Sequence, residues 1–105
     1  MKTLADYVGQ VLTFKINSGE ELIAKVVGAV PGGQFIELSD PVSIAPSQHG
    51  MGLVPSAFTI DTAEPIRLNT NCVTLYGVTE EAVRLKYIEA VTGIKTPAPK
   101  KIILG

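Results

Sequence analysis

A change in hydrophobic period at Val11 limits the possible folds more than any other feature of this sequence. In "VLTFKIN" (residues 11–17) apolar side chains recur at every second position from Leu12 to Ile16, which predicts a half-buried strand. A second extended run, "ELIAKVVGAV" (21–30), follows after Asn17, Ser18 and Gly19. Such residues supply the polar turn and the positive φ that a short hairpin needs. The pattern therefore predicts an antiparallel hairpin near the start of a β-rich domain.

Further extended segments follow this hairpin. They are "QFIELS" (34–39), continued by "VSIAP" (42–46) beyond an Asp40-Pro41 corner, then "LVPSAFTID" (53–61) and "CVTLYGV" (72–78). The proline in "LVPSAFTID" restricts that strand to an edge or a bulge. "SQHGMG" (47–52) is predicted to be a loop and "TAEPIRLNTN" (62–71) a polar connection. About five short strands of this kind suit a mainly β fold, a small and strongly bent antiparallel barrel spanning residues 11–78.

A helix is predicted on each side of this barrel. Residues 1–10 hold a short helix that Thr3 can cap, and residues 79–93 hold a longer one between a Thr79 cap and a Gly93 terminator. Residues 94–105 form a tail in which a stiff, proline-containing "KTPAPK" precedes the apolar "KIILG". The whole chain of 105 residues is expected to be one domain.

The longer helix has two apolar sides. One stripe, which includes Val83, Tyr87 and Val91, is expected to cover the sheet, whereas Leu85 and Ile88 fall away from it. Two explanations stay open for these two: a loop residue such as Met51 or the tail covers them, or a partner subunit does. The second explanation makes the protein a closed homo-oligomer. Its candidate interface residues are Leu85, Ile88, Ile102, Ile103 and Leu104.

Composition narrows the possible partners and compartment. Ten acidic residues against nine basic ones give no global positive field for nucleic acid, although a local patch remains possible. The single cysteine, Cys72, precludes an intramolecular disulfide and is expected to be a small core residue. The start resembles no signal peptide and no run is long enough to cross a bilayer, so a cytoplasmic protein without a membrane partner is expected.

The segment "FKINSGEELIAKVVGAVPGGQFIELSDPVSI" (14–44) resembles the first motif of the Sm and Sm-like (LSm) proteins. Gly19 matches the turn glycine of that motif, and Gly28 matches the glycine at the bend of the second strand. Together with "TEEAVRLKYIEAVTGI" (79–94) and the apolar-ended tail, the chain looks like the Sm-like proteins encoded by contractile-tailed phages, including cyanophages. The resemblance covers most of residues 11–105.

This resemblance implies a five-stranded bent sheet and a ring of about five to seven identical subunits joined through their edge strands. If a phage encodes the chain, the compartment is the host cytoplasm. The RNA-binding residues of the family are only partly matched. Val30 stands where the family has an acid, Gln34 is the nearest amide, and Tyr76 replaces the arginine that precedes the retained Gly77. The family's usual uridine pocket is therefore not expected.

Two functions stay open. In the first, the ring binds single-stranded RNA through Gln34, Tyr76, Gly77 and His49, with Arg67, Lys15 or Lys25 contacting phosphates. Tyr76 would then stack on a base, although a buried tyrosine held by one hydrogen bond is the alternative. In the second, the ring is an assembly or protein-interaction platform without RNA. No catalytic constellation, cofactor motif or metal-ligand spacing accompanies the lone His49, so a non-enzymatic protein is expected.

Overall fold

The computed structural model describes residues 3–48, 50–61 and 63–95. In chain order the elements are a 3-10 helix (Leu4–Tyr7), β1 (Val11–Ile16), β2 (Glu21–Ala29), β3 (Phe35–Ser47), β4 (Gly50–Pro55), β5 (Ile66–Asn69), a 3-10 turn (Thr70–Cys72), β6 (Val73–Val78) and α1 (Glu81–Lys95). The mainly β class and the two flanking helical elements are thereby confirmed. His49 and the tail residues Ile102, Ile103 and Leu104 lie outside the described residues.

All strands belong to one antiparallel sheet in the order β4-β3-β2-β1-β6, and β5 also pairs with β3. The 13-residue β3 serves both partners, because Phe35–Leu38 pairs with β5 and Val42–Ser47 with β4. β4 and β5 are thus successive parts of one edge row. Residues 56–65, which we call the excursion, interrupt this row opposite Ser39–Pro41. Six strands therefore make the five rows that were predicted.

Two predicted connections proved to contain strand. Gly50, Met51 and Gly52 belong to β4, and Ile66–Asn69 forms β5 inside the expected polar connection. The strand predicted over 53–61 ends instead at Pro55. In β5 the half-buried Ile66 and Leu68 alternate with exposed neighbours. Four residues of alternation among polar ones are too short to be recognised as a strand by period alone.

The short link between β5 and β6 forces the sheet to bend. These strands pair with β3 and β1 respectively, so β3, β2 and β1 separate them in the row order. Neighbouring strands of a sheet lie about 4.8 Å apart, and four such spacings separate β5 from β6. In a flat sheet the two strands would therefore be roughly 19 Å apart. Asn69 and Val73, however, are only four residues apart and can span at most about 14 Å. The sheet must curl until its two edges approach each other at this end, as the predicted barrel requires.

Alternation along the strands separates two apolar clusters. The inner cluster includes Leu12, Phe14, Val26 and Leu38, and receives Leu4, Tyr7, Leu68 and Val73 from the periphery. The outer cluster includes Val11, Ile23, Val42 and Tyr87, and there Val83 and Val91 of α1 pack against the sheet. The predicted covering face of the long helix is confirmed by these contacts.

β3 changes faces at Asp40. Leu38 lies in the inner cluster and Val42 in the outer one, although an undisturbed strand keeps such residues on one face. The register explains this: Ile23 pairs with Val42 and Lys25 with Ser39, so β3 carries one extra residue. Asp40 adopts a φ of 52°, and its carbonyl oxygen accepts a hydrogen bond from the Tyr87 hydroxyl at 2.9 Å. The helix therefore holds the bulge that redirects the strand.

The ends of α1 differ from the expected ones. The helix begins at Glu81, two residues after Thr79, whose hydroxyl instead lies 2.9 Å from the Thr13 hydroxyl. It continues through Gly93 to Lys95, so the terminator prediction is wrong. A glycine inside a helix costs only about 1 kcal/mol and does not have to stop it.

Candidate functional site

Tyr76 lies in the last strand, on the inner face of the sheet. It pairs with Phe14, and the two ring centroids are 6.3 Å apart. The Tyr7 ring meets it edge-on at 6.2 Å. Tyr76 is nevertheless 36% exposed, so the alternative of a buried tyrosine is wrong. Two aromatic neighbours hold the ring while part of it remains accessible.

A groove of about 460 Å³ opens beside Tyr76. Its walls include Ala29, Val30, Gly33 and Phe35 from the β2–β3 region, together with Thr70. Thr70 fixes this arrangement because its N–H donates to the Gln34 carbonyl at 2.9 Å and its hydroxyl donates to the Gly33 carbonyl at 2.6 Å. The 3-10 turn is thus tied to the β2–β3 loop. This tie brings the exposed Gln34 to the same end of the sheet as Tyr76.

Gly77 follows Tyr76 and pairs with Thr13, on the outer face. A Cβ built at this glycine would meet nothing within 4 Å. Packing therefore does not require a glycine here. Among the sequence-predicted RNA contacts, Tyr76 lines the groove and Gln34 lies between two of its lining residues, Gly33 and Phe35, while Gly77 is on the other face of the strand.

The three candidate phosphate contacts do not converge on this groove. Lys15 pairs with Leu75 on the outer face, opposite to the face that carries Tyr76. Arg67 pairs with Glu37 in the sheet, and its Nε lies 3.5 Å from the Glu37 carboxylate. Lys25 borders a separate groove between α1 and the sheet. The phosphate backbone of an RNA bound beside Tyr76 would thus contact none of these three side chains directly.

Lys25 shares its groove with Asp40, Arg84 and Tyr87. Arg84 is already engaged, since its Nε donates to Glu81 Oε1 at 2.6 Å and its Nη2 to Oε2 at 2.9 Å. These bonds lower the pKa of the Glu81 carboxyl below its usual value and raise that of Arg84. The groove therefore offers one cation beside an acid, which makes a poor site for an anion.

Exposed apolar side chains mark both edges of the sheet. On β6, Leu75 is 62% exposed on the outer face, and Val78 is equally prominent on the inner one. On the other edge Met51 of β4 is 68% exposed, with Val54 beside it. Sequence reasoning assigned an interface to Leu85 and Ile88, which are indeed exposed, but missed these edge residues. The available signal was "TLYGV", where apolar residues fall on both faces of a strand.

Cys72 is exposed in the 3-10 turn, so the expectation of a core residue is wrong. The turn lies where the chain passes between the two sheet edges, outside the packed interior. Within residues 3–48, 50–61 and 63–95, no group of three or more His, Cys, Asp or Glu side chains is placed to hold a metal ion. In the same part of the chain, no helix is both long and apolar enough to cross a membrane.

Comparison with known proteins adds a likeness of fold. No protein-family model matches this sequence, and no curated protein matches it either. Among solved structures, one chain of the "Crystal structure of the NatC complex bound to CoA" superposes with a TM-score of 0.50 at 11% identity. The match covers 83% of this chain and 96% of that chain. The protein is therefore similar in fold to one chain of that complex, and the similarity extends over nearly the full length of that other chain.

Proposed function

We propose that the protein is a non-enzymatic, Sm-like subunit that assembles head to tail into a closed ring of identical copies. The β6 edge of one subunit pairs with the β4 edge of the next. Rings of about five to seven subunits fit the resemblance of residues 14–44 to the Sm motif. Such a ring would act in the cytoplasm, that of the host cell if a phage encodes it.

The observation that carries this proposal is the pair of open, apolar sheet edges. β6 and β4 stand at opposite ends of the strand order. Leu75 and Val78 are exposed at one edge, Met51 and Val54 at the other. An open edge with apolar side chains on both faces is a hazard for a monomer, because it templates aggregation. Pairing two different edges gives a heterologous contact, which either closes into a ring or grows into a fibre.

Blocking the two edges separately tests the ring. We expect light scattering to show a closed oligomer for the wild type and monomers for both Val78→Lys and Met51→Lys. An equimolar mixture of the two variants restores one intact contact per pair and should give dimers only. Val27→Lys serves as the matched control, since Val27 is exposed on the central strand β2 and should leave the ring intact. A wild-type monomer at micromolar concentration would refute the proposal.

A second candidate function is binding of single-stranded RNA in the groove beside Tyr76. The partly exposed Tyr76 ring favours it, since aromatic rings stack on any base, and Gln34 lies between two residues that line the groove. The lining of this groove contains no lysine or arginine among the residues that the structure describes. We therefore expect weak binding that depends on stacking more than on phosphate contacts, with a shallow dependence on salt.

Labelled oligo-U and oligo-A at low salt test this candidate. Tyr76→Phe keeps the stacking face and should bind as the wild type does, whereas Tyr76→Ala should lose about 1–3 kcal/mol of affinity. Light scattering on each variant checks that the ring persists. If the wild type binds neither oligonucleotide, the proposed ring would be an assembly or protein-interaction platform.

A further inference from the structure

An apolar groove lies on the outer face of the sheet, between α1 and the excursion. Its volume is about 180 Å³, and Pro41, Val42, Pro55, Phe58 and Val91 are among the residues that line it. Phe58 is 82% exposed, and Ile60 next to it is also exposed. Both are large apolar side chains that the described residues leave largely uncovered.

The size of this groove indicates what fits. A cavity of about 150 Å³ accommodates a benzene-sized group. Small-molecule sites in proteins measure about 300–1,000 Å³. At about 180 Å³ the groove suits one or two aliphatic side chains better than a cofactor or a drug-sized ligand.

The chain that follows α1 starts at the rim of the groove. Val91 lines it, and Lys95, the last described residue, is four positions later, about 6 Å further along the helix. Ten residues, "TPAPKKIILG", follow Lys95. Ile102 is seven positions after Lys95, which allows a reach of about 23 Å. This reach exceeds the distance of about 6 Å from Lys95 back to Val91, so the tail is long enough for its apolar residues to return to the groove.

Charges on the two sides are complementary. Lys100 and Lys101 immediately precede the apolar residues of the tail. Asp40 forms part of the groove, and Asp61 and Glu64 are exposed in the excursion, whose sequence contains no basic residue. A tail whose apolar end enters the groove would carry its two lysines past these acids.

We propose that the apolar end of the tail, residues 102–104, docks on this groove of its own chain with one or two side chains inserted, and that Lys100 and Lys101 lie beside the acids of the excursion. The tail then clamps the end of α1 to residues 56–65 and covers Phe58. Its own chain is the favoured donor because a short tether gives an effective concentration of about millimolar, above that of any second copy in dilute solution. The groove reaches the end of the β4 edge at Pro55, but because the chain's own tail fills it the inference does not require the ring.

Tryptophan fluorescence tests the occupancy, because the chain contains no tryptophan of its own. In Leu104→Trp we expect blue-shifted emission and protection from acrylamide quenching. Adding Phe58→Asp should shift the emission to that of a tryptophan in water. Adding Leu85→Asp, at another exposed apolar position on α1, should leave the emission unchanged. Water-like emission from Leu104→Trp alone would overturn the proposal.

A disulfide trap identifies the donor of the tail. Phe58→Cys and Ile103→Cys are combined in a Cys72→Ser background, which leaves no other thiol. Oxidation at low concentration should produce a cross-link within one chain, seen as a faster-migrating monomer on a non-reducing gel. Cross-linked dimers would show that a second copy supplies the tail, and free thiols would show that the groove does not bind it. Either result contradicts the proposal, whatever the oligomeric state.

Discussion

The Thr74 hydroxyl donates a hydrogen bond of 2.9 Å to the Asn17 side-chain oxygen, across 57 positions of sequence. Asn17 is in the β1–β2 turn, and Thr74 is the second residue of the last strand, which follows the 3-10 turn. The Asn17 side-chain amide donates to the Asn71 carbonyl at 3.2 Å, and its backbone N–H donates to the Cys72 carbonyl at 2.8 Å. The hairpin tip therefore anchors the link that joins the two edges of the bent sheet.

Asn17→Ala should destabilise the fold by about 1–2 kcal/mol, because it removes two side-chain hydrogen bonds and leaves their partners to water. Urea unfolding followed by circular dichroism measures the change as a lower midpoint at constant slope. Ser18→Ala is the control. Its hydroxyl makes only a 3.4 Å contact with the Glu20 amide, so we expect a change within about 0.5 kcal/mol. Equal effects of the two substitutions would contradict the anchoring role.

The two glycines that matched the Sm motif should respond differently to alanine. Gly19 has a φ of 93°, so Gly19→Ala should cost about 1–2 kcal/mol through backbone strain alone. At Gly28 a new Cβ would lie 2.6 Å from Glu37 Oε1, the flexible end of a side chain that can rotate away. We expect Gly28→Ala to cost less than about 1 kcal/mol. Thermal unfolding of both variants measures the two losses of stability. A larger loss for Gly28→Ala than for Gly19→Ala would show that the Glu37 side chain cannot move.

The parts of the fold that could be predicted are those with a long local pattern. β1 and β2 were recognised because alternation continues over six and nine residues and a glycine turn joins them. β5 was missed because its four residues gain their partners from β3, 28 to 34 positions earlier, and nothing local shows that pairing. The face change at Asp40 is likewise a matter of register between two strands.

The candidate site shows the same division. Tyr76 and Gln34 were selected by their place in a motif, and the bonds of Thr70 to the Gly33 and Gln34 carbonyls hold the β2–β3 loop beside the groove that Tyr76 lines. The sequence did not show that Lys15 and Arg67 lie on the face of the sheet opposite to Tyr76. Their position follows from the register of β1 with β6 and of β5 with β3. Exposure at the edges depends on which strands end the row, a property of topology that residue types do not encode.

Asp40 should tolerate only residues that accept a left-handed backbone. Its φ of 52° is unfavourable for a β-branched side chain, so Asp40→Val should cost about 1–3 kcal/mol. Asp40→Asn should cost less, because asparagine enters this region readily. Asp61→Val, an exposed position without a positive φ, controls for the loss of charge. Urea midpoints that fall equally for Asp40→Val and Asp40→Asn would indicate that charge, and not backbone conformation, is responsible.

The Tyr87 hydroxyl couples stability to high pH. It is buried beneath α1 and donates to the Ser39 and Asp40 carbonyls at 3.0 and 2.9 Å. Burial, and after it the negative charge of Asp40, raises the pKa of Tyr87 from 10.0 to about 12. Because the folded state favours the protonated phenol, its contribution to the free energy of unfolding is complete below pH 10 and disappears as the pH rises toward 12.

Comparing the wild type with Tyr87→Phe between neutral pH and pH 12 isolates this contribution from other groups that titrate there. At neutral pH the variant should be less stable by about 1–2 kcal/mol, since two carbonyl groups lose their donor. As the pH rises beyond 10 the two curves should converge, because Tyr87 ionises in the unfolded wild type while burial keeps it protonated in the folded state. Tyr7→Phe is the control for a tyrosine outside α1. A constant difference up to pH 12 would mean that folding does not raise the pKa of Tyr87.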